Sequence, residues 1–121
     1  MELQLVTVRT ADQVELDGAL YLPEGAAATW RAPVLALHGL TWNFYRGPVR
    51  WLAPLLVAAG HPCLSLNMRD HDLDQPHAFE LSHHDLRAGI DCMIDRFRRT
   101  PVLLGHGYAL SLIHISEPTR H

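Results

Sequence analysis

The chain has 121 residues, enough for one compact domain and too few for two. Hydrophobic residues make up 48% and charged residues 19%, a balance that excludes a disordered chain. A net charge of −3 without any basic block excludes the electrostatic footprint of a nucleic-acid or acidic-membrane binder. Every basic residue is Arg, which reflects coding bias more plausibly than selection for anion contacts. The opening MELQLVTVRT has no basic segment leading into an apolar one, and no apolar run approaches membrane-spanning length, so a cytoplasmic protein is expected. Cys63 and Cys92 fall in apolar, element-like runs, which points to two reduced, packed thiols and not to a disulfide.

In chain order, Leu3 to Val8 and Val14 to Tyr21 are β-rich runs joined by the polar link Thr10-Ala11-Asp12-Gln13, predicting an antiparallel hairpin. The small-residue loop from Pro23 leads to Pro33-Val34-Leu35-Ala36-Leu37. Its continuous apolarity predicts a strand covered on both faces, as in a parallel sheet. From Pro48, residues Trp51, Leu52, Leu55, Leu56 and Ala59 recur at helical spacing, with Gly60 suited to the position just past the end. Pro62 to Leu66 predicts a second buried strand. Ser82 is expected to cap a second helix, with Asp85 three residues on, whose apolar stripe is Leu86, Ile90, Met93, Ile94 and Phe97. Pro101 to Leu104 predicts a third buried strand. A hairpin followed by strand, helix, strand, helix, strand is the order of an α/β fold with a mostly parallel sheet.

The last segment differs. Leu110 to Arg120, LSLIHISEPTR, shifts composition abruptly and resembles the translation of a transposase-adapter oligonucleotide used in sequencing libraries. The expectation is a domain portion over 1–109 and a non-native tail over 110–121, with a genuine β-like tail as the alternative.

Three motifs, Val34-Leu35-Ala36-Leu37-His38-Gly39-Leu40, Asn67-Met68-Arg69-Asp70-His71-Asp72 and Val102-Leu103-Leu104-Gly105-His106-Gly107-Tyr108-Ala109, carry a resemblance to the α/β-hydrolases. Val34-Leu35-Ala36-Leu37-His38-Gly39-Leu40 resembles the strand and His-Gly turn before the first major helix of that family. Asn67-Met68-Arg69-Asp70-His71-Asp72 resembles the Arg-Gly-His-Gly/Asp loop after the next strand, with Asp70 in place of the glycine. Val102-Leu103-Leu104-Gly105-His106-Gly107-Tyr108-Ala109 resembles the nucleophile elbow, where small residues two positions either side relieve a strained turn. A dinucleotide-binding glycine turn fits this segment less well, because it lacks the final small residue and follows the fifth strand, not the first.

The resemblance spans nearly all of Met1 to Ala109 and implies the front half of an α/β-hydrolase, stopping at the elbow. It implies oxyanion-hole N–H donors at Leu40 and Tyr108, and a nucleophile position at Gly107, where the family usually has Ser. The parent activity implied is hydrolysis of an ester, thioester or amide, with a small acyl substrate and no cofactor or metal. The acid and the His follow the nucleophile in this family's chain order, so none of His38, His61, His71, His77, His83, His84 or His106 takes the catalytic part. Glycine at 107 leaves two readings open: a non-catalytic binding protein, or one altered base turning a serine codon into glycine. Asp70, His71, Asp72 and Asp74, with His77, His83 and His84, match neither a zinc nor an EF-hand spacing, and a solvated acidic loop is the favoured reading. Trp42, Phe44 and Tyr45 are candidates for an acyl pocket or for packing on Trp51.

Overall fold

The computed structural model describes residues 1–38, 48–69 and 78–105. Leu40, Gly107, Tyr108, the aromatic segment at 42–45, the acidic loop at 70–77 and the tail at 110–121 lie outside the described residues.

Two strands, β1 (Glu2–Arg9) and β2 (Glu15–Leu22), form the expected antiparallel hairpin in unbroken register from Glu2 opposite Leu22 to Arg9 opposite Glu15. Gln13 takes a positive φ of 70° in its turn, and the Thr10 hydroxyl accepts from the Val14 N–H at 2.9 Å. The remaining strands are β3 (Val34–Leu37), β4 (Cys63–Leu66) and β5 (Val102–Gly105). The sheet runs in the order β1-β2-β4-β3-β5; β2 meets β4 antiparallel, and β3 is parallel to both β4 and β5. Every residue of β3 and β4 is buried, as continuous apolar runs demand of strands covered on both faces.

Two helices provide that cover on opposite faces. The longer, α2 (Ala78–Phe97), lies over a core of Leu20, Leu35, Leu37, Leu64, Leu66 and its own Leu86 and Met93. It approaches closely at Gly89, where a Cβ would stand only 3.0 Å from Leu35 and 3.1 Å from Leu66. Each fully buried leucine there contributes about 1.5–3 kcal/mol, and Leu35→Ala is expected to cost about 2–5 kcal/mol once its cavity is counted. The other face packs Ala19, Tyr21, Val34, Ala36 and Cys63 against Ala53 and Val57 of α1 (Pro48–Ala58). This helix ends in a Schellman motif: Gly60, at φ 97°, donates to the Val57 carbonyl and His61 donates to the Leu56 carbonyl.

Three expectations are corrected. The buried stripe of α1 is Ala53, Leu56 and Val57, while Trp51 and Leu55 stand 70% and 66% exposed. Small side chains on both partners, Ala53 against Ala19 and Ala36, let helix and sheet approach, and a tryptophan would hold them apart. The second helix starts at Ala78, so Ser82 is a fully buried interior residue and not its cap. Asp85 likewise sits within the helix, where tertiary contacts claim its carboxylate. The fifth strand is only half covered, with Val102 55% exposed, because among the described residues only β3 pairs with it.

Candidate functional site

The neighbouring parallel strands β3 and β5 end together, Leu37 standing opposite Gly105 in the register. The two strands therefore stop side by side at the carboxyl edge of the sheet. The strand order also turns at β3: β4 lies on one side of it and β5 on the other. Open α/β sheets bind ligands outside the carboxyl ends of their strands at such a reversal, where the outgoing connections diverge and leave a crevice.

Side chains beneath this edge hold it in shape. His38 is buried, and its Nε2 accepts a hydrogen bond from the Met68 N–H at 2.8 Å, tying the end of β3 to the chain leaving β4. An accepting Nε2 places the proton of the neutral ring on Nδ1. The next residue, Arg69, is 2% exposed and anchored twice. Its backbone N–H and its Nε donate to the two carboxylate oxygens of Asp85, both at 2.8 Å. Its two terminal nitrogens donate to Asp12 in the hairpin turn at 2.7 and 2.8 Å. One guanidinium thus joins the β1–β2 turn, the segment after β4 and helix α2.

The charges respond to their surroundings. Hydrogen bonds from Arg69 hold the Asp12 carboxyl well below the usual carboxylate range, against a smaller opposing effect of burial. Burial raises Asp85, offset in part by the bonds it accepts from Arg69. Burial also pushes the Cys63 thiol up to about 12 and raises Cys92, and both cysteines are free. These are unreactive environments, since the thiolate is the nucleophilic form.

The sequence-derived donors Leu40 and Tyr108 and the Gly107 position fall outside the described residues, although the strands leading to them end side by side. His38 makes a structural link. Among the described residues no cluster of three or more His, Cys, Asp or Glu is placed to hold a metal ion. No helix among them is long and apolar enough to cross a membrane. The Asp12–Arg69–Asp85 triad escaped sequence reading because its members are 57 and 16 residues from Arg69 and each has an ordinary local explanation.

No family model matches the sequence, and no curated protein matches it. Solved structures do match. An esterase of Pyrococcus furiosus superposes with a TM-score of 0.70 at 21% identity over 93% of this chain and 46% of its own. The chain carries part of the α/β-hydrolase fold. The α/β hydrolase GrgF from a Penicillium species gives a TM-score of 0.75 at 15% identity, over 96% of this chain and 41% of that one. An esterase domain from a Rhodothermus marinus protein gives 0.68 at 21% identity, over 93% of this chain and 43% of that one. The chain thus spans under half the length of the α/β-hydrolase structures it matches.

Proposed function

We propose that the chain is the N-terminal portion, residues 1–109, of an α/β-hydrolase whose complete form cleaves an ester, thioester or amide of a small acyl substrate in the cytoplasm. The observation that carries the reading is the paired ending of β3 and β5 at the point where the strand order reverses. In this reading a hydroxyl at position 107, activated by a His supplied from beyond the elbow, attacks the carbonyl carbon. Backbone N–H groups of Leu40 and Tyr108 then stabilise the negative charge that develops on the carbonyl oxygen. Met68 and Arg69 act on neither substrate nor nucleophile; Met68 holds His38 at the end of β3, and Arg69 ties the segment after β4 to helix α2 and the hairpin turn.

With Gly107 the chain has no side chain to attack, and it is inactive as it stands. That residue favours a second reading, a binding protein that keeps the fold without catalysis. Sequencing the source DNA through codon 107 and past codon 109 separates the two. Serine at 107 with an acid and a His encoded downstream supports the hydrolase; glycine at 107 without those partners supports the binding protein. A sequence coding for LSLIHISEPTR in independent reads free of adapter overturns the reading of 110–121 as a non-native tail.

A further inference from the structure

At the amino edge of the parallel strands, the segments entering β3, β4 and β5 converge. Backbone hydrogen bonds lock them together, from the Arg31 N–H to the Gly60 carbonyl, the Val34 N–H to the Pro62 carbonyl and the Val102 N–H to the Pro33 carbonyl, each at 2.8 Å. They enclose a pocket of about 140 Å³, the room of a few water molecules, lined in part by the buried Pro33 and Pro62. Trp30 and Phe97, a tilted ring pair with centroids 6.3 Å apart, form one wall, and Arg31, Arg96 and Arg99 reach the same pocket. Arg9, Arg69 and Arg87 are each answered by a carboxylate: Glu15, the Asp12 and Asp85 pair, and Asp91. Arg31, Arg96 and Arg99 form no ion pair among the described residues, although the chain as a whole carries a net charge of −3. The carbonyls ending α2 attract Arg96 in its last turn and Arg99 just beyond it, but Arg31 arrives from a different segment. Gathering guanidinium groups round one pocket without a counter-charge costs free energy that a bound anion recovers.

We propose that this pocket binds a phosphate group, free or as the monoester of a small molecule. Guanidinium forks meet phosphate oxygens two at a time, and several cationic side chains suit a dianion better than a single carboxylate. The small volume suits one such group and not a peptide segment. Trp30 and Phe97 set apolar ring surface beside it, where the organic part of an ester can rest. The locked backbone means that the frame stands before the ligand arrives, which lowers the ordering cost of binding. The β3–β5 crevice lies at the other end of the same strands, so this site depends neither on residue 107 nor on hydrolysis.

Tryptophan fluorescence of the dilute full chain, titrated with inorganic phosphate or phenyl phosphate at constant ionic strength against chloride, tests the site. A saturable change with a Kd of about 1 mM is expected, absent with chloride and lost in Trp30→Phe, which removes the reporter beside the pocket. Arg31→Gln and Arg99→Gln are each expected to weaken binding by at least about fivefold, and the double variant to abolish it. Arg87→Gln removes the same charge away from the pocket and is expected to bind as the parent does, which separates a site from general charge attraction. All these arginines are exposed, and matched thermal unfolding verifies that the variants fold. Tighter binding of phenyl phosphate assigns a monoester, and equal affinities assign the free ion; either supports the site. No saturable response to either compound, a response that persists in Trp30→Phe, or affinities that Arg31→Gln and Arg99→Gln change no more than Arg87→Gln does, overturns the proposal.

Discussion

Arg69 grips Asp85 with both its backbone N–H and its side-chain Nε, one to each carboxylate oxygen, at 2.8 Å in both cases. A pair this deeply buried is costly to break from one side, because the remaining charge has no water to turn to. Arg69→Ala is expected to destabilise the fold by about 3–5 kcal/mol, against about 0–1 kcal/mol for Arg9→Ala, whose Glu15 partner is 3.5 Å away at the surface. Pulse proteolysis of dilute protein in graded urea measures both. Equal midpoints for the two variants would show that the clamp adds nothing beyond a surface pair.

Asp12 sets an acid limit on the same clamp. Its carboxyl is lowered in the folded chain by hydrogen bonds from Arg69, so its stabilisation is complete above the unfolded value near 3.8 and fades as pH falls toward the depressed folded value. Asp85 is shifted the opposite way by burial, but it is common to parent and variant and cancels in their difference. The stability gap between the parent and Asp12→Asn is expected to be full at pH 6 and to shrink steadily below about pH 4. Urea midpoints by circular dichroism across that range decide it, and a gap independent of pH would contradict the assignment.

The two cysteines should be slow toward thiol reagents, Cys63 most of all. With its thiol pushed up to about 12 and its side chain fully buried, Cys63 is expected to react with an aromatic disulfide only as fast as the chain unfolds. Half-buried Cys92 should react first. Stoichiometric labelling of Cys63 under native conditions, at the rate of Cys92, would refute the packing described for β4.

At the sheet edge opposite β1, Val102 leaves β5 half covered, and exposed apolar edges invite further pairing. The expressed chain is expected to associate with rising concentration, and Val102→Lys to reduce that association several-fold. Light scattering over a concentration series checks this. A monodisperse parent with a sharp, cooperative thermal transition would contradict it.

Gly107→Ser in this chain is expected to give no esterase activity above background. A serine hydroxyl is a weak nucleophile at neutral pH unless a positioned base takes its proton, and triad groups act as a unit, so one of three recovers little. Hydrolysis of an activated aryl ester, with a reactive phosphonate probe alongside, is the measurement. Turnover seen only in the serine variant and blocked by the probe would mean that a base lies within these 121 residues.

The sequence by itself determined the elements and their order. Leu35 and Leu37, Leu64 and Leu66 lie in uninterrupted apolar runs that only a strand covered on both faces can bury, and Gly60 marks a helix end by taking a φ that residues with a Cβ avoid. Motif order further carried the α/β-hydrolase resemblance, because turn chemistry at His38-Gly39 and around Gly107 is local in the chain. The tertiary structure alone decided the rest. That β3 stands between β4 and β5, and so brings the ends at Leu37 and Gly105 together, depends on strand pairing across 68 residues, which no local pattern encodes. Which face of α1 is buried depended on the small residues of the sheet beneath it, and hydrophobic spacing pointed to the larger Trp51 and Leu55 instead. Asp85 reads locally as a helix-start carboxylate; it became half of a buried clamp because folding brought Arg69 to it, where both charges had to find partners once water was excluded.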